Sequence, residues 1–321
     1  MLLKLQQKSG ITMTQAEKIK HQSATTVDIK TSDQQTFVAQ LWDHINPIAT
    51  VHIVHGMAEH CLRYRPLAEQ LQQAGYRVVS HNHRGHGDRL PQGHYADNRG
   101  WELVIDDMLQ VQQQLCKDSA VILLGHSMGS FIAQGFAIRY GDRLSGLILS
   151  GSNYQSAFMY QAGRTVARIL KLFQGGRTQS KVMDRLSFGA FNNRFKPART
   201  PFDWLSRDNQ QVDRYIQDPA CGHTCTLQLW IDLFGGLIEI SQPANLAHIP
   251  ADLPIWLFAG ECDPVGQNGK GVKALQQALT DSGHKNVSCT LYADARHEML
   301  NELNAAEVRQ EILNRINDMI R

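Results

Sequence analysis

The chain has 321 residues, of which 42% are hydrophobic and 19% charged, with a formal net charge of +2. That is ordinary for a globular protein large enough to bury a substantial core. It offers no basic run interleaved with aromatics for nucleic acid, and no apolar stretch approaches the length that spans a bilayer.

The first thirty residues are polar and are expected to form a loosely packed N-terminal extension. The opening residues are too briefly apolar for a signal peptide, and Met13 is an alternative start to Met1. Residues 36–42 alternate like an early strand, and residues 49–54 read as a second. The second strand runs into His55-Gly56-Met57. Here Gly56 lets the chain turn, and the Met57 N–H is placed to point at a reacting carbonyl. Residues 65–75 have helical spacing, with Pro66 near the start and Gly75 at the end. Residues 76–80 form the next strand and lead into a loop with His81, His83 and His86. Their spacing does not suit one helical face, so the expectation is a glycine-bearing loop packed beside the active site. Residues 101–116 read as an amphipathic helix.

Residues 121–140 organise the chain. Val121–Leu124 is a short buried strand, Gly125-His126-Ser127-Met128-Gly129 matches G-x-S-x-G, and residues 131–140 are helical. Strand, sharp turn and helix are the context in which this pattern means a nucleophile elbow. The turn pushes the serine Oγ out above the sheet and aims a helix N-terminus at whatever binds there. After a further strand at 144–150 the βα alternation stops. Residues 151–249 are irregular, partly helical and rich in Phe, Tyr and Trp, which fits an inserted cap over the catalytic face. The alternation returns with a strand at 253–260 ending in Glu261-Cys262-Asp263-Pro264, a helix at 271–279, a last strand at 287–292, a loop carrying Asp294 and His297, and a C-terminal helix. The expected division is therefore 1–30 extension, 31–150 first part of the core, 151–249 cap, and 250–321 second part of the core.

Serine is a poor nucleophile until a base removes its proton. An imidazole held by a buried carboxylate does this at neutral pH. In a mostly parallel α/β sheet with helices on both faces such groups lie on loops past the carboxyl ends of strands. Ser127, Asp263 and His297 occupy three such loops in the chain order Ser, Asp, His. Asp294 and Glu261 are rival acids; Asp263 is preferred because Asp-Pro fixes a turn at the strand end. The Met57 and Met128 N–H groups are the expected oxyanion donors.

Six scattered cysteines, Cys61, Cys116, Cys221, Cys225, Cys262 and Cys289, are not a disulfide framework and fit a reduced, cytoplasmic setting. The run Cys221-Gly222-His223-Thr224-Cys225 lacks a second ligand pair at suitable spacing, so no metal is expected.

Taken together, His55-Gly56-Met57-Ala58-Glu59-His60 with Arg63-Tyr64, Asn82-His83-Arg84-Gly85-His86-Gly87, the elbow, Gly260-Glu261-Cys262-Asp263-Pro264-Val265 and His297-Glu298-Met299-Leu300-Asn301-Glu302 resemble the monoacylglycerol lipase and lysophospholipase family, the serine-aminopeptidase-like branch of the α/β-hydrolases. The motifs keep the family order from about residue 50 to 302. Asn82 and Arg89 depart from the pattern, which usually has Asp and Ser there. The resemblance implies an α/β-hydrolase fold with a mostly helical cap and a Ser127–Asp263–His297 triad. It also implies hydrolysis of a carboxylic ester with one fatty chain, and no cofactor. Gly56, His126, Tyr154 and Val265 are the expected pocket residues. Transient contact of the cap with a membrane surface is a further expectation, while acyl length, head group and oligomeric state stay open. The rivals are a non-catalytic α/β-hydrolase-fold binder, an aminopeptidase and a carbon–carbon bond hydrolase.

Overall fold

The computed structural model describes residues 24–116 and 119–321. Eight strands form one sheet in the order β1-β2-β4-β3-β5-β6-β7-β8. They are β1 (Thr25–Lys30), β2 (Thr36–Trp42), β3 (Thr50–Val54), β4 (Arg77–His81), β5 (Val121–His126), β6 (Gly146–Ser150), β7 (Ile255–Gly260) and β8 (Val287–Tyr292). Strand β2 runs antiparallel to its neighbours β1 and β4, and β3 to β8 are mutually parallel. This is the α/β-hydrolase arrangement.

Residues 25–30, grouped on sequence grounds with the polar extension, instead form β1, paired along its whole length with β2. Only Ile29 of that edge strand is fully buried, with Val27 packed partly against the core, so its apolar alternation is confined to two residues and does not stand out from the polar run before it. Residues 1–23 of the expected extension lie outside the described residues.

The central strands are buried on both faces, which is why they read as continuous apolar runs. Successive side chains point to opposite sides. Leu123, Leu147, Leu149 and Leu257 join one core layer with helices α2 (Gly100–Leu115), α3 (Met128–Tyr140) and α9 (Lys270–Asp281). Ile122, Leu124, Ile148, Trp256 and Phe258 join the other, with α1 (Arg65–Gln73) and α10 (Ala305–Met319).

Between β6 and β7 run α4 (Ala157–Gln174), α5 (Lys181–Phe188), α6 (Asn209–Gln217), α7 (Leu227–Ile240) and the short α8 (Pro243–Leu246). Helix α7 is the anchor of this segment, packing on α2 and α3 while α4 lies across it. The approach is close enough that a Cβ on Gly236 would collide with the Trp101 indole of α2. A side chain at 236 would therefore push the two helices apart.

Candidate active site

Ser127 occupies the turn between β5 and α3 with φ 53° and ψ −122°. An L-residue is strained there, by roughly 1–3 kcal/mol. The surroundings enforce it. A Cβ on Gly125 would strike the Gly129 backbone, and one on Gly129 would strike the carbonyls of Val54 and His55. The Ser127 N–H is spent on the Ser150 carbonyl at 2.9 Å. The hydroxyl thus stands clear of the sheet at the N-terminus of α3.

Asp263 and His297 come from the loops after β7 and β8. These loops meet because Gly260 lets the end of β7 approach the Ala295 and Arg296 carbonyls more closely than any side chain would allow. His297 Nδ1 is 2.9 Å from Asp263 Oδ2, and His297 Nε2 is 2.9 Å from Ser127 Oγ. Asp263 is fully buried, and its other oxygen accepts the Val265 N–H at 2.8 Å. A carboxylate that only accepts fixes the His297 proton on Nδ1 and leaves Nε2 as an acceptor for the serine hydroxyl. Burial alone would lower the His297 pKa, but the charge and hydrogen bond of Asp263 raise it above its ordinary value. The rivals Asp294 and Glu261 are both exposed.

The loop after β3 closes the other side. Gly56 lies so near that a Cβ there would be 3.1 Å from Ser127 Cβ, which puts Met57 beside the serine. Met128 is the first residue of α3, where backbone N–H groups have no partner within the helix. Glu59, in the same loop, accepts the Gly56 N–H at 2.6 Å and the Tyr64 hydroxyl at 2.8 Å.

The sequence pattern assigns no role to the ion pairs beneath these loops. Arg63 is bound to Glu59 at 2.5 Å and grips Glu298 with two bonds of 2.6 Å. Burial works against ionisation of Glu59, yet the Arg63 guanidinium holds its carboxyl below the usual range. Burial likewise opposes the Arg63 charge, and Glu298 and Glu59 keep it well on the charged side. Glu298 is the residue after His297, so one guanidinium ties the Gly56 loop to the His297 loop. Glu59, Arg63 and Glu298 all fall within the family-like motifs, but the 235-residue separation of Arg63 and Glu298 along the chain hides the pairing.

Above the hydroxyl opens a cavity of about 560 Å³, within the range of small-molecule sites. The segment between β6 and β7 walls it with Tyr160, Phe188, Trp204, Trp230 and Phe234. The Trp204 ring lies 5.2 Å from the His297 ring and 6.1 Å from Phe188, stacked with the latter. The same segment is hydrogen-bonded to both loops: Glu298 N–H donates to Leu205 O at 2.7 Å, and Gly222 N–H donates to Ala58 O at 2.8 Å. Of the expected pocket residues, Gly56, His126 and Val265 line the cavity. Tyr154 does not: its hydroxyl donates to the Ser241 carbonyl at 2.9 Å, and its neighbours Asn153 and Gln155 line the cavity instead. His126 is pushed down to about 4 by burial and is neutral at physiological pH.

The family described as Serine aminopeptidase, S33 matches residues 45–304. The chain is 27% identical over 277 residues to a monoglyceride lipase of Rattus norvegicus, covering 85% of this chain and 83% of that protein. It is 27% identical over 262 residues to a monoacylglycerol lipase of Mycolicibacterium smegmatis, covering 80% and 84%. Its fold superposes on a thermostable carboxyl esterase from Bacillus coagulans, solved in complex with glycerol. That match has a TM-score of 0.85 and 28% identity, and covers 94% of this chain and all (100%) of the esterase. The chain belongs to the serine aminopeptidase S33 family of α/β-hydrolases.

Proposed function

We propose that this S33-family α/β-hydrolase is a serine carboxylester hydrolase that cleaves a single-chain lipid ester, a monoacylglycerol or lysophospholipid, through an acyl-enzyme on Ser127. The observation that carries the reading is the unbroken run of hydrogen bonds from Asp263 through His297 to the Ser127 hydroxyl, ending at an apolar cavity. His297 removes the hydroxyl proton as Ser127 attacks the ester carbonyl. The same imidazole protonates the departing alcohol, then activates the water that releases the fatty acid. Asp263 holds the imidazole in the required tautomer and stabilises its cationic form. The N–H groups of Met57 and Met128 receive the negative oxygen of the tetrahedral intermediate, each worth about 3–4 kcal/mol.

In this reading residues 151–249 are a cap that supplies the acyl pocket, and the names of the similar lipases support a fatty ester as substrate. An aminopeptidase needs a free carboxylate for the substrate ammonium. Three carboxylates border the cavity: Glu59 and Glu298 are engaged by Arg63, and burial raises the Asp184 pKa, which works against its charged form; this favours an ester over an aminoacyl substrate. All six cysteines are free, which supports a reducing, cytoplasmic setting, and no helix among the described residues is long and apolar enough to cross a membrane.

A panel of p-nitrophenyl esters graded by chain length, run beside aminoacyl anilides, tests the proposal. Preference for a medium or long acyl ester is expected. Faster turnover of the anilides would replace the lipase reading with a peptidase one.

A further inference from the structure

We propose that His86, His223 and Cys225 form a binding site for a borderline-soft divalent cation of the zinc type, clasping the inserted segment to the core. Their ligand atoms all lie within 4.8 Å of one another. His86 belongs to the core loop after β4, whereas His223 and Cys225 belong to the segment between β6 and β7. The sequence shows His223 and Cys225 as a close pair lacking further ligands, hence the expectation of no metal; His86 lies too far along the chain for any spacing to reveal it.

The donor set is prepared for a metal. His86 is fully buried, and its Nδ1 is 2.9 Å from the Arg84 carbonyl. Nδ1 therefore carries the proton, and Nε2 presents a bare lone pair, the arrangement that a backbone acceptor imposes on metal-binding imidazoles. That Nε2 has no hydrogen-bond partner, and neither has either nitrogen of His223. The two rings lie 5.1 Å apart at 64°. Cys225 is 1% exposed.

The backbones are already locked together. Gly93 N–H donates to Gly85 O at 2.7 Å, Thr226 N–H donates to Gly93 O at 2.8 Å, and a Cβ on Gly93 would lie 2.9 Å from Cys225 Cα. Tetrahedral Zn²⁺ with two imidazoles and a thiolate holds ligand atoms about 3.5 Å apart. Closing to that separation takes side-chain rotation, chiefly of half-buried His223. Binding forms one metal–sulfur and two metal–nitrogen bonds and releases the Cys225 thiol proton to solvent. Gly222 and His223 also border the cavity above Ser127.

Other buried histidines do not make the same case. His83 and His284 also have unpartnered ring nitrogens, but neither belongs to a ligand cluster among the described residues. A second cluster, His60 with Asp218 and Cys221, is more exposed, and its imidazole is already hydrogen-bonded to Asp218 at 2.9 Å.

The test is titration of the untagged, chelator-stripped, reduced chain with Co²⁺. One ion per chain should bind with a thiolate-to-cobalt charge-transfer absorption, displaced by Zn²⁺, and Zn²⁺ should raise the melting temperature. Loss of a ligand should exceed the roughly 10–100-fold effect of losing an outer-shell partner. Cys225→Ser should therefore abolish the band and weaken binding by about a hundredfold or more. His86→Gln should weaken it similarly, with His223→Asn standing in if circular dichroism shows the former unfolded. Cys221→Ser should leave band and affinity unchanged. No band in the wild type, a band that survives Cys225→Ser, or one lost in Cys221→Ser would each overturn the assignment.

Discussion

Replacing Arg63 with methionine tests how the two loops beside Ser127 are held. The side chain of Arg63 is 12% exposed and those of Glu59 and Glu298 are 4% and 6% exposed, so the substitution strands two carboxylates out of water. Breaking a buried pair in this way costs about 3–5 kcal/mol. A ceiling exists, because a stranded glutamate can take up a proton instead. Against an ordinary pKa of about 4.3 that costs about 3.7 kcal/mol per group at pH 7. Glu59 keeps the Gly56 N–H and the Tyr64 hydroxyl, and Glu298 keeps Asn301, so the total stays near 3–5 kcal/mol rather than double it.

The dependence on pH has a definite sign. In the wild type the depressed Glu59 pKa contributes stability that is present above the unfolded-state pKa and lost as pH falls through the folded one. In the variant the stranded carboxyls have raised folded pKa values, so the destabilisation grows as pH rises through the unfolded pKa. The gap between the two proteins therefore narrows on acidification from pH 7 toward pH 4. Urea melts followed by circular dichroism read it directly, and a drop in melting temperature of about 4–7 °C should accompany it. A gap below about 1 kcal/mol at pH 7, or one that widens on acidification, would refute the reasoning.

Three further outcomes are expected at the site. Asp263→Asn should lower kcat by about 10⁴ through the wrong imidazole tautomer, measured with a p-nitrophenyl ester. The wild-type kcat/KM should rise with pH through a His297 ionisation lying above its ordinary 6.5, because only the neutral ring accepts the serine proton. In Asp263→Asn that limb should move to lower pH, and an unmoved limb would assign it to another group. Gly129→Ala should abolish activity and destabilise the fold, since its Cβ meets the Val54 and His55 carbonyls. Near-normal turnover and melting would mean that the turn is softer than its geometry indicates.

The parts of the molecule legible in the sequence are those where one local rule decides the outcome. Strands β5, β6 and β7 are buried on both faces, so their composition is enough to find them. Gly125 and Gly129 mark the elbow because no other residue fits between it and the neighbouring backbone. The edge strand β1 escapes a sequence reading because only one of its faces touches the core, and on that face only Val27 and Ile29 are apolar. Tyr154, expected in the pocket, turns its hydroxyl to the Ser241 carbonyl instead, a ring direction that no sequence pattern encodes. The aromatics of the inserted segment look alike in sequence. Only the packing of α4, α5 and α7 separates Phe188 and Trp204, which border the cavity, from the exposed Phe158 and Phe173. The Arg63–Glu298 pairing and the approach of His86 to the His223–Cys225 pair are products of tertiary closure, joining segments that no local pattern connects.

The measurement that bears most directly on the proposed chemistry is mass spectrometry of the enzyme quenched with acid during turnover of a p-nitrophenyl fatty ester. An acyl group should be found on the peptide containing Ser127, and Ser127→Ala should lose both the adduct and about 10⁶ of the rate. Hydrolysis at an undiminished rate by Ser127→Ala, or an acyl group carried by another residue, would contradict the account.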